Sequence, residues 1–164
     1  MRTTLVRSAA AWTGAGLASG LYYRELTKHA GLAGTRDLAG TQLAVVHTHA
    51  LTLGTLVLLI LLLLAAQFTA LEADRRFRWA VVLWQAGLGL TTIGMLVTGT
   101  LQVTDTAGYD SPALAGVSGL GHVTLTAAFV LLFLALGGAV RGSDPATPTD
   151  PAAAPTSVAE HVSV

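Results

Sequence analysis

The sequence predicts an all-α fold, an integral membrane four-helix bundle, and two observations carry that prediction. Apolar residues make up 52% of the 164 residues and charged ones only 11%, far from the roughly quarter-charged composition of a soluble domain. The charges are also segregated, since no Asp, Glu, Lys or Arg occurs from Leu38 to Leu71, from Trp79 to Thr104 or from Ser111 to Val140. Each interval can hold a membrane-crossing helix, which takes ~20 mostly apolar residues to cover ~30 Å of hydrocarbon.

The first predicted span, about Thr4 to Tyr23, contains Gly14, Gly16 and Gly20, with Arg7 placed to snorkel to the headgroups. It also has the layout of a signal peptide: Arg2 and Arg7 as a basic start, Ala9 to Leu17 as the apolar stretch, and Leu17-Ala18-Ser19 as a small-residue cleavage site. The glycines, and Tyr22-Tyr23-Arg24-Glu25 directly after, favour a retained helix. The second span, about Leu43 to Phe68, contains the run Leu56 to Leu64. The third covers about Trp79 to Val103 and the fourth about Ala113 to Val140. The transmembrane domain thus occupies residues 1–141, and residues 142–164, rich in Pro, Ala, Thr, Ser and Asp, are predicted to be a disordered tail.

The positive-inside rule orients these spans. With the amino terminus in the cytoplasm, Arg2, Arg7, Arg75, Arg76, Arg78 and Arg141 lie inside, against Arg24, Lys28 and Arg36 outside. The connection Thr104 to Pro112 carries Asp105 and Asp110 without a basic residue, which also places it outside. Both termini are therefore expected in the cytoplasm, with Trp12 and Trp79 near the inner interface, where amphipathic rings collect. A net charge of zero without a basic stripe excludes nucleic acid as a partner. The absence of cysteine excludes disulfides, Cys-ligated zinc and iron–sulfur clusters.

Histidines are the chemical signal. His47 and His49 enter the second span from the outer side, and His122 enters the fourth from the same side, so the three are expected at similar depth. Met95 reaches that level from the other direction on the third span, and Arg24 with Glu25 marks the outer end of the first. An ionisable side chain in hydrocarbon is costly and is a functional-site hypothesis by default. A single intramembrane histidine is often only a hydrogen-bonding tie between helices; three at one depth favour a shared ligand site. His29 and His161 read as solvated residues, and Met95 reads better as core filler than as a ligand.

The spacing narrows the site. His47 and His49 are two residues apart, so at ~100° per residue they point to nearly opposite faces of a helix and cannot easily chelate one small ion together. A compact zinc or copper site would favour i, i+3 or i+4 pairs. Bis-axial ligation of a planar macrocycle instead takes one imidazole from each of two facing helices, and His122 with His47 or His49 meets that requirement. Small residues beside these histidines, among them Ala50, Gly54, Ser118 and Gly119, either leave room for a porphyrin or serve close helix packing. The Gly16/Gly20 pair reads better as packing.

The strings Gly20-Leu21-Tyr22-Tyr23-Arg24-Glu25, His47-Thr48-His49-Ala50-Leu51-Thr52-Leu53-Gly54 and Gly119-Leu120-Gly121-His122 resemble an uncharacterised family of short, four-span bacterial membrane proteins with a domain of unknown function. The resemblance covers about Ala9 to Val140 and implies the bacterial inner (plasma) membrane. The His-x-His pair followed by Gly54 is more distantly similar to nitric-oxide-related heme-copper membrane proteins and to the catalytic subunit of heme-copper oxidases. In the oxidases such a pair ligates two hemes on opposite faces of one helix. The oxidase glycine lies one residue further along, and no additional histidine cluster for copper is present, so oxygen reduction by this chain alone is not implied.

The expectation from the sequence is therefore a b-type heme protein for electron transfer or gas and redox sensing. His122 and one of His47/His49 would be axial ligands, and Arg24 would pair with heme propionates or with Glu25 in solvent. Two bound imidazoles leave no open iron position, so catalysis is not implied. Rival expectations are a cofactor-free accessory subunit or small transporter, and a copper site of His47 or His49, His122 and Met95. Partners are membrane lipid, a redox partner and further copies of the chain. With His47 facing inward, His49 projects through Val45, Thr52, Leu53 and Leu56 towards a neighbour, and the oxidase likeness suggests a homotrimer of four-helix arcs.

Overall fold

The computed structural model describes residues 1–32 and 40–143. Arg36, Asp37 and all of the predicted tail beyond Ser143 lie outside the described residues. Every regular element within them is helical: α1 (Arg2–His29), α2 (Leu43–His49), a π-helical segment (Ala50–Leu56), α3 (Val57–Gln67), the short α4 (Ala70–Ala73), α5 (Arg75–Val103) and α6 (Pro112–Arg141). α2, the π segment and α3 run on as one 25-residue rod, Leu43–Gln67.

Local chemistry sets the boundaries. Asp74 caps α5 by accepting the Arg76 N–H at 2.6 Å, and Ser111 caps α6 by accepting the Ala113 N–H at 3.3 Å. Pro112 opens α6, where its missing N–H costs nothing. α1 stops at Ala30 and Gly31, whose φ of +69° suits glycine. The third predicted span, about Trp79 to Val103, lies within α5, which begins at Arg75 because the Asp74 cap lets charged residues form its first turn.

Three helices are long and apolar enough to cross a membrane: Leu43–Gln67, Arg75–Val103 and Pro112–Arg141. α1, which holds the first predicted span, is not among them. Its 28 residues are ample in length, but it runs past the predicted Tyr23 and carries Arg2, Arg7, Arg24, Glu25 and Lys28. Many large side chains on the apolar helices face outwards, including Leu63, Ile93, Leu120, Val123 and Phe133, the surface expected of helices meeting lipid.

The long helices lie in the order α1, the Leu43–Gln67 rod, α5, α6. α1 lies along the rod, the α2 and π parts of the rod meet α5, and α6 packs along α5 and against α4. One end of this row carries Leu26, Leu43, Val103 and Pro112 and is called the histidine end; the other carries Arg2, Gln67, Arg75 and Arg141 and is called the arginine end. The main core, with Leu5, Leu58, Phe77, Trp84, Leu88 and Leu132, runs from the middle to the arginine end. A smaller cluster of Leu43, Val46, Met95 and Val103 closes the histidine end.

Among apolar helices in lipid, close approach of small residues replaces hydrophobic burial as the packing force. A Cβ on Gly121 would meet the Thr91 backbone N at 2.8 Å, and a Cβ on Gly87 would meet the Leu125 backbone N at 2.9 Å. These glycines let α5 and α6 touch backbone to backbone. Gly54 in the π segment lies flat against the Trp12 ring, which leaves no room for a Cβ. π turns recur where a helix is re-aimed for function, and this one begins directly after His49.

Candidate functional site

α5 serves as a ruler for depth. Leu43 abuts Gly99, Ser118 abuts Gly94, and Gly121 abuts Thr91. Counting ~1.5 Å per residue from the Gly99 level puts His47 ~6 Å, His49 ~9 Å and His122 ~13 Å into the apolar layer. Met95 lies ~6 Å from the same level. The residues singled out in the sequence therefore occupy one half of the layer, at the histidine end.

His47, His49 and His122 lie in the same half of the helices at depths that differ by about a turn, and they point in different directions. His47 turns towards α1, where a Cβ on Gly20 would sit 3.6 Å from its own Cβ. Its Nδ1 is buried without a hydrogen-bond partner among the described residues, and its Nε2 is 3.4 Å from Thr48 Oγ1, too long for a strong bond. His49 leaves the opposite side of the helix and is half-buried, with its Nδ1 3.0 Å from the Val45 carbonyl oxygen. His122 is exposed on α6, with its Nδ1 2.8 Å from the Ser118 carbonyl oxygen.

A carbonyl oxygen only accepts, so Nδ1 is the protonated nitrogen in both His49 and His122. In each, Nε2 is the ring nitrogen that this bond leaves unengaged. Ligating histidines commonly have this arrangement, in which a second-shell carbonyl fixes the ring and the tautomer. His29 makes the same contact to the Glu25 carbonyl at 2.7 Å, but at the exposed end of α1.

The chain does not gather these groups into one cluster: among the described residues no three His, Cys, Asp or Glu side chains stand close enough to hold a metal ion. α6 makes its extensive contact with α5, and the rod makes its own with α1 and α5, so α2 and α6 are not neighbours. Met95 is 7% exposed and packs with Leu43 and Val46, as core filler does. Arg24 is exposed at the end of α1, its Nε 3.8 Å from Glu25 Oε1.

The small residues divide between two roles. Gly16 meets Leu51 and Ala50, so the Gly16/Gly20 pair packs α1 on the rod, as its spacing suggested. Gly121 and Ser118 belong to the α5–α6 seam, whereas Gly116 and Gly119 have nothing within 4 Å of a built Cβ.

A polar layer at the middle of the helices was not singled out from the sequence. Trp12 Nε1 donates to Gln85 Oε1 at 2.9 Å, Thr13 Oγ1 and Thr55 Oγ1 share a bond of 3.0 Å, and Trp84 Nε1 donates to the Leu53 carbonyl at 3.0 Å. Gln85, alone among apolar neighbours, was its visible signal. A groove of about 500 Å³ between α1 and α5 is lined by Ala15, Ser19, Leu96 and Val97 and carries no histidine. At the histidine end, a cleft of about 330 Å³ lined by Gln42, Thr98, Gln102, Asp110 and Ser118 opens over the α5–α6 seam.

Three helices long and apolar enough to cross a membrane give this all-helical chain the features of a membrane protein. Residues 1–139 match the family described as Protein of unknown function (DUF2871), and the chain belongs to that family. No curated protein and no solved structure gives a match. The likeness of His47-Thr48-His49 to heme-copper proteins is not supported by these comparisons.

Proposed function

We propose that this chain is a multi-pass membrane protein that holds b-type heme between histidine imidazoles near one face of the membrane, for electron transfer or for gas and redox sensing. The observation that carries the reading is the like disposition of His49 and His122, two separate imidazoles held in the same way. Each sits in an apolar helix, donates its Nδ1–H to its own backbone at 3.0 and 2.8 Å, and leaves Nε2 outside that bond. Hydrocarbon offers that nitrogen no partner. The donor set suits heme iron, which takes one imidazole on each face, better than a small ion, which needs its ligands in one cluster.

The remaining residues fit that reading. α1 crosses as a fourth span, with Arg7 snorkelling and both termini in the cytoplasm, so that Arg75, Arg76, Arg78 and Arg141 face inwards. Arg24 lies one turn, ~6 Å, above Gly20, which faces His47. Its planar guanidinium is the candidate to pair with heme propionates, as bidentate carboxylate binding requires. Bound heme would supply a reversible one-electron couple. The polar layer of Trp12, Thr13, Thr55 and Gln85 ties α1 to the rod and α5 below that level. The protein assembles as a homo-oligomer, a trimer if the oxidase likeness extends to assembly.

The test is to express the chain in a heme-competent host, purify it in detergent, and record oxidised and reduced visible spectra with metal analysis. The expected result is a Soret band with the sharp visible bands of low-spin heme on reduction. A colourless preparation despite heme supply refutes the reading in favour of a cofactor-free subunit or small transporter. Metal without porphyrin points instead to copper.

A further inference from the structure

We propose that the heme site is built between protomers, with His122 of one chain and the partner's His49 supplying the two imidazoles. The inference rests on the heme reading above and goes beyond it by assigning the ligands to different chains.

Geometry within one chain separates the two rings. The two-residue spacing sends His47 to α1 and turns His49 ~200° away from it, to the side of Val45, Thr52 and Leu56, all exposed. His122 stands on the face of α6 with Gly119 and Thr126, also exposed. α5 lies between the two helices in the row. A planar ligand held on both faces needs its two helices opposite one another, and α2 and α6 of the same chain are not.

A second copy removes that difficulty. The two imidazoles lie within ~4 Å of the same depth by the α5 ruler, so two copies in the same membrane orientation can present them to each other without a vertical shift. In both rings Nδ1 is engaged with the backbone and Nε2 is the nitrogen left to meet a partner. Gly116 and Gly119 leave the outer face of α6 open to close approach. The occupant is a second copy rather than lipid, because acyl chains cannot coordinate or hydrogen-bond an imidazole. Each copy offers one half-site at α2 and one at α6, so a closed cyclic oligomer completes every site.

Complementation tests this directly. The full chain is made as His49→Ala and His122→Ala, each with a different tag, separately and co-expressed, and the mixed oligomer is isolated by both tags in sequence. A parallel pair, His49→Gln and His122→Gln, keeps side-chain bulk in case alanine disturbs folding. Each variant alone is expected to lose low-spin heme. The mixed oligomer is expected to regain it at one junction: about half of the wild-type content in a dimer, about a third in a trimer. If the wild type binds heme and the mixed oligomer of both variant pairs has none, ligation between chains is refuted while the heme reading stands. A strictly monomeric wild type with full low-spin heme refutes it as well. A wild type without heme overturns both.

Discussion

The indole Nε1–H of Trp84 donates to the backbone carbonyl of Leu53 at 3.0 Å, joining α5 to the π-helical part of the rod. Trp84 is 1% exposed, and its ring meets Phe129 edge-on at 4.7 Å. A π turn changes the carbonyl pairing of an α-helix, and a donor from the next helix serves a carbonyl in that turn. Trp84→Phe keeps an aromatic ring and removes the donor. It is expected to lower stability in detergent by about 1 kcal/mol, read from denaturant unfolding; an unchanged midpoint would show that the bond adds nothing.

Gly54 and Trp12 make a steric prediction. Gly54→Ala drives a methyl into the indole and is expected to cost about 1–3 kcal/mol. Gly14→Ala, with nothing within 4 Å of the new atom, is expected to be neutral or to stabilise α1 by up to about 1 kcal/mol. Thermal melts of the two variants should move apart, and equal melting points would contradict the contact.

Trp12 and Gln85 should be coupled. Their 2.9 Å bond spans α1 and α5, and hydrogen bonds between membrane helices average about 0.6 kcal/mol, reaching about 1.7. A double-mutant cycle of Trp12→Phe and Gln85→Leu is expected to return a coupling in that range. Strict additivity would mean that the pair does not hold α1 in place.

The Arg2–Glu72 pair at the arginine end should matter little despite its 2.6 Å separation. Its side chains are 48% and 31% exposed, and solvent screening holds such pairs to about 0–1 kcal/mol. Glu72→Gln is expected to shift stability within that range, with the difference shrinking as salt is added. A larger loss would reveal a buried role for Arg2, which also reaches the Ala65 carbonyl at 3.3 Å.

His47→Ala separates the two members of the His-x-His pair. With His47 turned to Gly20 and its Nδ1 unpartnered, its loss is expected to leave the low-spin heme spectrum intact, whereas His49→Ala abolishes it. The reverse pattern in the reduced spectra would make His47 the ligand.

The sequence by itself determined the helices and the level of the histidines. Charge-free intervals bounded by Asp37, Glu72, Arg78, Asp105, Asp110 and Arg141 allow one kind of element, because uncharged runs of that length bury their backbone polar groups as helices. A fixed rise per residue then turns distance from the bounding charges into depth, which is why His47, His49 and His122 were legible in the same half of their helices. The opposite facing of His47 and His49 followed from the same helical period.

Tertiary structure decided which helix each face meets. Nothing in the sequence said that α6 would lie along α5 rather than beside α2, since that choice rests on glycines interlocking across the seam: Gly87 with Leu125, Gly121 with Thr91. Only that packing shows His122 turned out of the chain, Met95 absorbed among Leu43 and Val46, and Gln85 paired with Trp12. The start of α5 at Arg75 and the π turn after His49 escaped the sequence for a related reason. A single capping side chain set the first, and the second coincides with an indole packed on Gly54; hydropathy registers neither.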